Sequence, residues 1–283
     1  MIKIPVTWLS SYLYCSRKLF LEQVLNLKEP PKESLILGSI RHEAYDKINK
    51  NEESIVKSIG KSHSDEQIKK DYKDSCAGIL NKIIENKKRG LEMIGLSSEK
   101  ALVRNESYIL AEAETRASNV IKFIEKNKVF GDELWQTLTP KILSEIRVES
   151  DELKLKGIID QIHVYEDSYV PFELKTGSMP KDGVWPSHRI QVAAYSLLLG
   201  EKFNTDINEA FVHYLDSNEK RQIVINPFMK YEITSMVDEI IELIQSKDLP
   251  DYCDSENKCR SCGLRKTCYD NTEMEKLMKV KIN

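Results

Sequence analysis

No stretch of these 283 residues stays apolar over the length of a membrane span, which excludes a transmembrane helix as an organising element. The opening MIKIPVTWLSS lacks the basic start, apolar run and small-residue cleavage site of a secretory signal, so a cytoplasmic protein is expected. An excess of positive charge is also missing. Charged residues make up 31% of the chain, yet the formal net charge is -3. That excludes the global basic field of small DNA-binding domains, and any nucleic-acid contact has to be a local patch. The phosphate-loop pattern G-x4-G-K-[ST] does not occur, which argues against a fused helicase. Residues 50 to 130 contain no proline.

What is present is ample for a core: 41% of the residues are hydrophobic, enough for one large domain or two modest ones. Helical spacing of apolar residues predicts helices over 7–27 and 34–49, then a Lys/Glu-rich helical region with three or four helices. From Lys141 the period changes to two. ILSEIRVES, LKLKGIIDQIHVY and SYVPFELK read as three consecutive strands in an antiparallel meander. A helix follows over 188–200 with Gly200 as its C-cap, then short strands at 209–215 and 221–225 and a helix over 227–247. The chain therefore divides into N-terminal helices (1–49), a helical insertion (50–140), an α+β core (141–247) and a cysteine-bearing segment (248–283).

The stretch from Gly157 to Lys175 carries the first chemical signal. Side chains alternate along a strand, so Glu173 and Lys175 share a face and Asp160 joins them if the two strands pair. Two carboxylates and an ammonium on an apolar strand pair need compensation, because buried charge is costly unless paired or metal-bound. Asp160 and Glu173 are hard oxygen ligands suited to Mg²⁺ or Mn²⁺, and the Leu174 carbonyl adds a third oxygen. Lys175 beside such a metal can orient a water or neutralise developing charge. Gln191 and Tyr195 share a face of the following helix. His42 on its own reads as a hydrogen-bonded or surface histidine, and Cys15 as a small core residue.

The second signal is the distribution of the six cysteines. Cys253, Cys259, Cys262 and Cys268 crowd the C-terminal region, while Cys15 and Cys76 stand far upstream. In a reducing compartment such clusters read as metal or cluster ligands rather than disulfides.

The order His42, Asp160, Glu173-x-Lys175, then Gln191-x3-Tyr195 resembles the PD-(D/E)XK nuclease superfamily, specifically its RecB-type branch. The resemblance implies a restriction-endonuclease-like mixed sheet flanked by helices. It also implies that His42 is a further metal ligand, and that Gln191 and Tyr195 line the cleft to contact DNA or support the metal shell. The tail C-x2-C-x5-C together with Y-x-x-C-S-R-K around Cys15 is similar to the iron-sulfur nucleases of this branch. These include the CRISPR-associated exonuclease Cas protein four and AddB-type nuclease domains. That similarity implies Cys15, Cys259, Cys262 and Cys268 as ligands of an iron-sulfur cluster, 4Fe-4S in form, clasping the first helix to the last segment. Cys253 in place of Cys15 would make a local four-cysteine zinc site instead.

The activity implied is Mn²⁺- or Mg²⁺-dependent trimming of single-stranded or frayed DNA ends during CRISPR spacer acquisition. The integrase formed by Cas proteins one and two is the implied partner. A repair or recombination nuclease of the AddB or RecB type, and a non-catalytic DNA-end or integrase-binding subunit, are the alternatives. The basic residues Arg17, Lys18, Lys258, Arg260, Arg265 and Lys266 around the cysteines are expected to form a phosphate-binding patch. Tyr14, Trp185 and Tyr269 are expected to stack on bases.

Overall fold

The computed structural model describes residues 2–166 and 168–282. Strand β1 (Ile4–Pro5) leads into helices α1 (Val6–Tyr14), α2 (Ser16–Gln23), α3 (Glu33–Ser58), α4 (Asp65–Met93), α5 (Ser98–Asn127) and α6 (Gly131–Thr137). Strands β2 (Lys141–Ser150), β3 (Leu155–Val164) and β4 (Tyr169–Lys175) follow, then α7 (Pro186–Phe203), β5 (Glu209–Tyr214) and β6 (Glu219–Val224). Helices α8 (Pro227–Ser246), α9 (Glu256–Ser261), α10 (Arg265–Cys268) and α11 (Asn271–Ile282) close the chain. Among the described residues no helix is long and apolar enough to cross a membrane.

The alternating pattern from Lys141 folds as the expected meander, with β2–β3 and β3–β4 antiparallel. The β4–β5 pair is parallel and β5–β6 antiparallel, so the six-stranded sheet is mixed. A parallel pair needs a crossover, and α7 supplies it. Because α7 is covered on nearly every side, its sequence is apolar almost all round: Ile190, Val192, Ala193, Ala194, Leu198 and Leu199 are all buried. These residues pack with Val6 and Leu9 of α1, Ile159 of β3, Val212 of β5 and Ile233 of α8. Helices α3 to α6 build a second core, which reaches the sheet through Leu174 and Leu215. In a third, Phe20, Leu21 and Leu25 pack on Leu264 and Met274, bringing the two ends of the chain together.

Several boundaries differ from the sequence reading. The single helix expected over 7–27 is broken at Cys15, whose backbone is extended (φ -170°, ψ 113°). Its sulfur accepts the Lys18 N–H, so Cys15 is the cap of α2 rather than a mid-helix residue. The helix expected over 34–49 runs on to Ser58 without interruption at residue 50. Gly200 does not cap α7. The helix continues to Phe203, and Asn204 takes the left-handed position at φ 49°. Gly200 is instead needed for close approach, since a Cβ there would lie 2.9 Å from the Thr205 carbonyl oxygen.

Gly157 has a comparable role under the sheet. A Cβ at this position would sit 2.6 Å from Tyr195 Cε1 and 3.3 Å from Val6 Cγ2. Gly157→Ala is therefore expected to destabilise the protein by about 1–3 kcal/mol through overpacking, measured as a lower midpoint in denaturant unfolding.

Candidate active site

The site is created where β3 and β4 part. The two strands pair from Gln161–Phe172 to Val164–Tyr169, and beyond that point β4 pairs only with β5 on its other edge. The β3–β4 register sets Asp160 opposite Glu173 at the fork. There the Leu174 N–H bonds to the carboxylate of Asp160, 2.8 Å from Oδ2, instead of continuing the backbone ladder. Asp160 thus props the fork open and keeps its other oxygen for the site.

Helix α3 approaches this fork because Gly38 has no side chain; a Cβ would meet Thr176 Oγ1 at 2.8 Å. Arg41 holds α3 in place. Its Nε donates to Asn105 Oδ1 at 3.1 Å and its guanidinium pairs with Asp216, which accepts the Gly177 N–H at 2.9 Å. The next residue, His42, then faces Asp160, with Nδ1 3.5 Å from Oδ1.

Glu173 and Lys175 lie on the face of β4 toward α7, and the register that sets Asp160 opposite Glu173 puts Asp160 on that face as well. Lys175 Nζ is 2.8 Å from Glu173 Oε1, and Gln191 bridges the pair. Its Nε2 donates to Glu173 Oε1 at 2.6 Å and its Oε1 accepts from Lys175 Nζ at 2.9 Å. Lys175 donating to one end and Glu173 accepting from the other fix the amide's orientation, and Ser10 of α1, which donates to the Ser187 carbonyl at 2.8 Å, packs 3.2 Å from the same Gln191 oxygen. His42, Asp160, Glu173, Lys175 and Gln191 therefore lie in one chain of contacts, as their order in the sequence suggested.

Tyr195 belongs to this site only indirectly. It lies one turn beyond Gln191, is 3% exposed, and packs its ring beneath Gly157. Burial pushes its phenol well above the ordinary range. Its hydroxyl meets the site through Gln191, and the Glu173 and Asp160 charges add to the shift, while the ring packs in the core. Leu174 is also buried, in the core built by α3 to α6.

The electrostatics identify what the site lacks. Glu173 is 3% exposed, and its Oε2 has no hydrogen-bond partner. Burial, reinforced by the charge of Asp160, pushes its carboxyl up to about 7. A divalent cation would relieve both the orphaned oxygen and the repulsion between the carboxylates, and carboxylates are the donors a hard ion takes; among the described residues Asp160, Glu173 and His42 do not yet converge as a preformed three-ligand site. Burial works against the charged form of Lys175, but the adjacent Glu173 outweighs it and raises the pKa, so Lys175 is an ammonium at neutral pH. For His42 too, the Asp160 hydrogen bond and charge outweigh burial and raise the pKa.

One pH effect follows from Glu173. Its pKa stands near 7 in the folded metal-free protein against an ordinary 4.5, so the folded state holds the proton more tightly than the unfolded chain. Metal-free protein is expected to lose stability as pH rises from about 4.5 through about 7, and added Mn²⁺ to restore it. Thermal melts across that range with and without the ion measure this; a melt independent of both pH and metal would contradict it.

Other neighbours were not evident from motifs. Glu145 lies opposite Asp160 in the β2–β3 register, and its backbone is left-handed (φ 55°). Tyr214 is the register partner of Lys175 on β5, and its hydroxyl contacts His188 of α7. Of these, only His188 carried a usable signal, its placement one turn before Gln191 on the same helix face.

A family model described as the PD-(D/E)XK nuclease superfamily matches residues 4–269 of this sequence. The chain belongs to the PD-(D/E)XK nuclease superfamily. Among relatives, a protein of Leptospira interrogans named CRISPR-associated exonuclease Cas4/endonuclease Cas1 fusion is 29% identical over 49% of this chain and 27% of its own length. A CRISPR-associated exonuclease Cas4 of Francisella tularensis subsp. novicida is 27% identical over 44% of this chain and 61% of its own. A DNA replication ATP-dependent helicase/nuclease of Arabidopsis thaliana is 24% identical over 40% of this chain and 10% of its own. The matched region thus spans only part of each relative's length.

Away from the fork, this PD-(D/E)XK chain gathers its cysteines. Cys15, Cys253, Cys259, Cys262 and Cys268 all line one small cavity of about 20 Å³ between the α1–α2 break and the tail. Arg17 donates from Nε to Cys268 Sγ at 3.2 Å, and Tyr269 donates to Cys259 Sγ at 3.8 Å. Among the described residues no three His, Cys, Asp or Glu side chains converge as a preformed site for a single ion. Cys76 is separate, fully buried among the helices of the second core.

Of the expected phosphate patch, Arg260, Arg265 and Lys266 are exposed, while the other three basic residues are engaged within the fold. Arg17 is 6% exposed and holds Cys268 and the Pro250 carbonyl. Lys18 pairs with Glu22 and Glu29, Arg260 with Glu256, and Lys258 donates to the Leu13 carbonyl. Arg17 and Lys258 join the chain's ends, whereas Arg260 pairs along its own helix and stays exposed. Of the three aromatic candidates, Tyr14 donates to the Lys258 carbonyl and Tyr269 stacks on Tyr252, while Trp185 stays 43% exposed beside α7.

Proposed function

We propose that this protein is a metal-dependent DNA exonuclease that trims single-stranded or frayed ends, acting in the processing of DNA for CRISPR spacer acquisition. The observation that carries the reading is the junction of Asp160, Glu173, Lys175, Gln191 and His42 at the β3–β4 fork, with one buried carboxylate oxygen left without a partner. Asp160, Glu173, His42 and the Leu174 carbonyl would hold Mn²⁺ or Mg²⁺. That ion supplies Lewis-acid activation of the phosphate and of water. Lys175, charged and held by Glu173 and Gln191, orients the attacking water and offsets charge on the phosphate as it is cleaved. Gln191 keeps the Glu173 carboxylate and the Lys175 ammonium in register, and Tyr195 holds α7 at the height that makes this bridge.

Cys15, Cys259, Cys262 and Cys268 would hold an iron-sulfur cluster, 4Fe-4S in form, with a structural role. Relatives named as fusions of Cas4 to Cas1 support the Cas1-containing integrase as a partner. A helicase/nuclease among the relatives supports a replication or repair nuclease as the second reading.

The deciding experiment is a time course on end-labelled single strands and on duplexes with frayed ends, under Mn²⁺ and under Mg²⁺, with wild type and Glu173→Ala. Shortening from an end by wild type alone is expected. Degradation equal in both proteins would reject the site. Binding and trimming of integrase-bound DNA in preference to free duplex separates the CRISPR role from the repair role.

A further inference from the structure

We propose that His188 is a further catalytic residue of the nuclease site, donating a hydrogen bond from Nε2 to a phosphate oxygen of the bound strand. This rests on the nuclease reading above and adds a substrate contact that the metal-binding residues do not provide.

The argument begins with register. Strands β4 and β5 run parallel with Lys175 beside Tyr214, so both side chains lie on the sheet face toward α7. Tyr214 is 1% exposed, and its hydroxyl has two neighbours. The Trp185 backbone N–H donates to it at 3.2 Å, and His188 Nδ1 lies 3.1 Å away. A phenol has a single proton. With Trp185 donating into the oxygen, the arrangement that uses every buried donor sends the Tyr214 proton to His188 Nδ1. Nδ1 is then the acceptor, and the ring proton sits on Nε2. Nε2 has no hydrogen-bond partner among the described residues.

Position and charge agree with that tautomer. His188 is three residues before Gln191, on the face of α7 that holds Lys175 and Glu173. Lys175 thus bonds Gln191 and has Tyr214 beside it in register, with half-buried His188 on Tyr214 in the first turn of the helix. Burial and the charge of Lys175 hold the imidazole down at about 4, so at neutral pH it is an uncharged donor. An uncharged donor beside a cation strengthens a phosphate contact without repelling Lys175. The amino end of α7, 18 residues long, adds its positive dipole to the same spot.

The test uses the full-length protein and end-labelled single-stranded DNA with Mn²⁺. For His188→Ala, kcat is expected to fall by about 10- to 100-fold while Mn²⁺ affinity and the melting curve match wild type. His188→Gln, which keeps an N–H donor, is expected to recover part of that loss. Tyr214→Phe, which frees the tautomer, is expected to cause a smaller loss and none in the His188→Ala background. A kcat for His188→Ala within about twofold of wild type overturns the inference, because a missing donor costs far more. So does a loss explained wholly by weaker Mn²⁺ binding or a lower melting temperature, because His188 would then act through the fold. Wild type inactive with both metals overturns the nuclease reading and this inference together; an active wild type with an unaffected His188→Ala overturns this inference alone.

Discussion

Glu173→Gln is expected to lower metal-dependent DNA degradation by about 1,000-fold or more, with the fold intact. The amide has the shape of the carboxylate but cannot carry the charge that completes a divalent-ion site. The change takes the counter-ion from Lys175 but keeps an oxygen for Lys175 and Gln191 to donate to, and it relieves the burial and Asp160 repulsion that push the Glu173 carboxyl up to about 7. Metal-free Glu173→Gln should therefore melt at or above the wild-type temperature at pH 7 and above, where the native carboxylate is ionised in its buried position. Mn²⁺ should raise the melting temperature of wild type and not of the variant. Lys175→Ala is the companion: it removes the ammonium that offsets Glu173, so activity is lost even where the metal still binds. Retention of full activity by either variant would remove the β3–β4 fork as the catalytic site.

The second large effect is expected at the cysteine cavity. Cys15→Ser keeps a side chain able to cap α2, because serine accepts the Lys18 N–H as well as a thiol does. The substitution therefore isolates ligation from helix capping. If Cys15 holds the proposed cluster, iron and sulfide content should fall to a small fraction of wild type, and the melting temperature should drop by roughly 5–10 °C, because the proposed cluster would tie the α1–α2 break to the tail. Cys253→Ser should retain its iron. Iron retained by Cys15→Ser and lost by Cys253→Ser would move the fourth ligand to Cys253, and colourless protein with one zinc would replace the cluster with a local zinc site. The small third core of Phe20, Leu21, Leu25, Leu264 and Met274 holds the same two ends together, so loosening rather than global unfolding is the expected outcome.

Sequence was informative wherever a single element carries the signal. Alternation put Glu173 and Lys175 on one face before any partner strand was known, and helical spacing put Gln191 above Tyr195. Its weak points were places where two elements meet. The break at Cys15 has no proline or glycine to announce it; it exists because α1 packs on α7 while α2 packs on the tail, and one straight helix cannot do both. Gly200 looks like a helix stop, yet the chain passing over it at Thr205 is what requires the glycine. The basic residues around the cysteines were read as a DNA-facing patch, but composition does not say which way a side chain points. Here carbonyls and carboxylates of the packed ends take up Arg17, Lys18 and Lys258, and leave Arg260, Arg265 and Lys266 exposed.

By itself, the sequence determined the kinds of groups available and their order: hard oxygen donors on two strands, an ammonium beside one of them, soft thiols at both ends, and an amide on the following helix. Local periodicities dictate those, and they survive any uncertainty about packing. Tertiary structure alone decided which of them meet. The divergence of β3 from β4 gave Asp160 its backbone anchor at Leu174, and Arg41 and Gly38 brought His42 to Asp160 across more than a hundred residues of chain. Parallel pairing of β4 with β5 placed Tyr214, and through it His188, beside Lys175. Contacts of that kind depend on register and crossover, properties of strand pairs and layers that no single segment encodes.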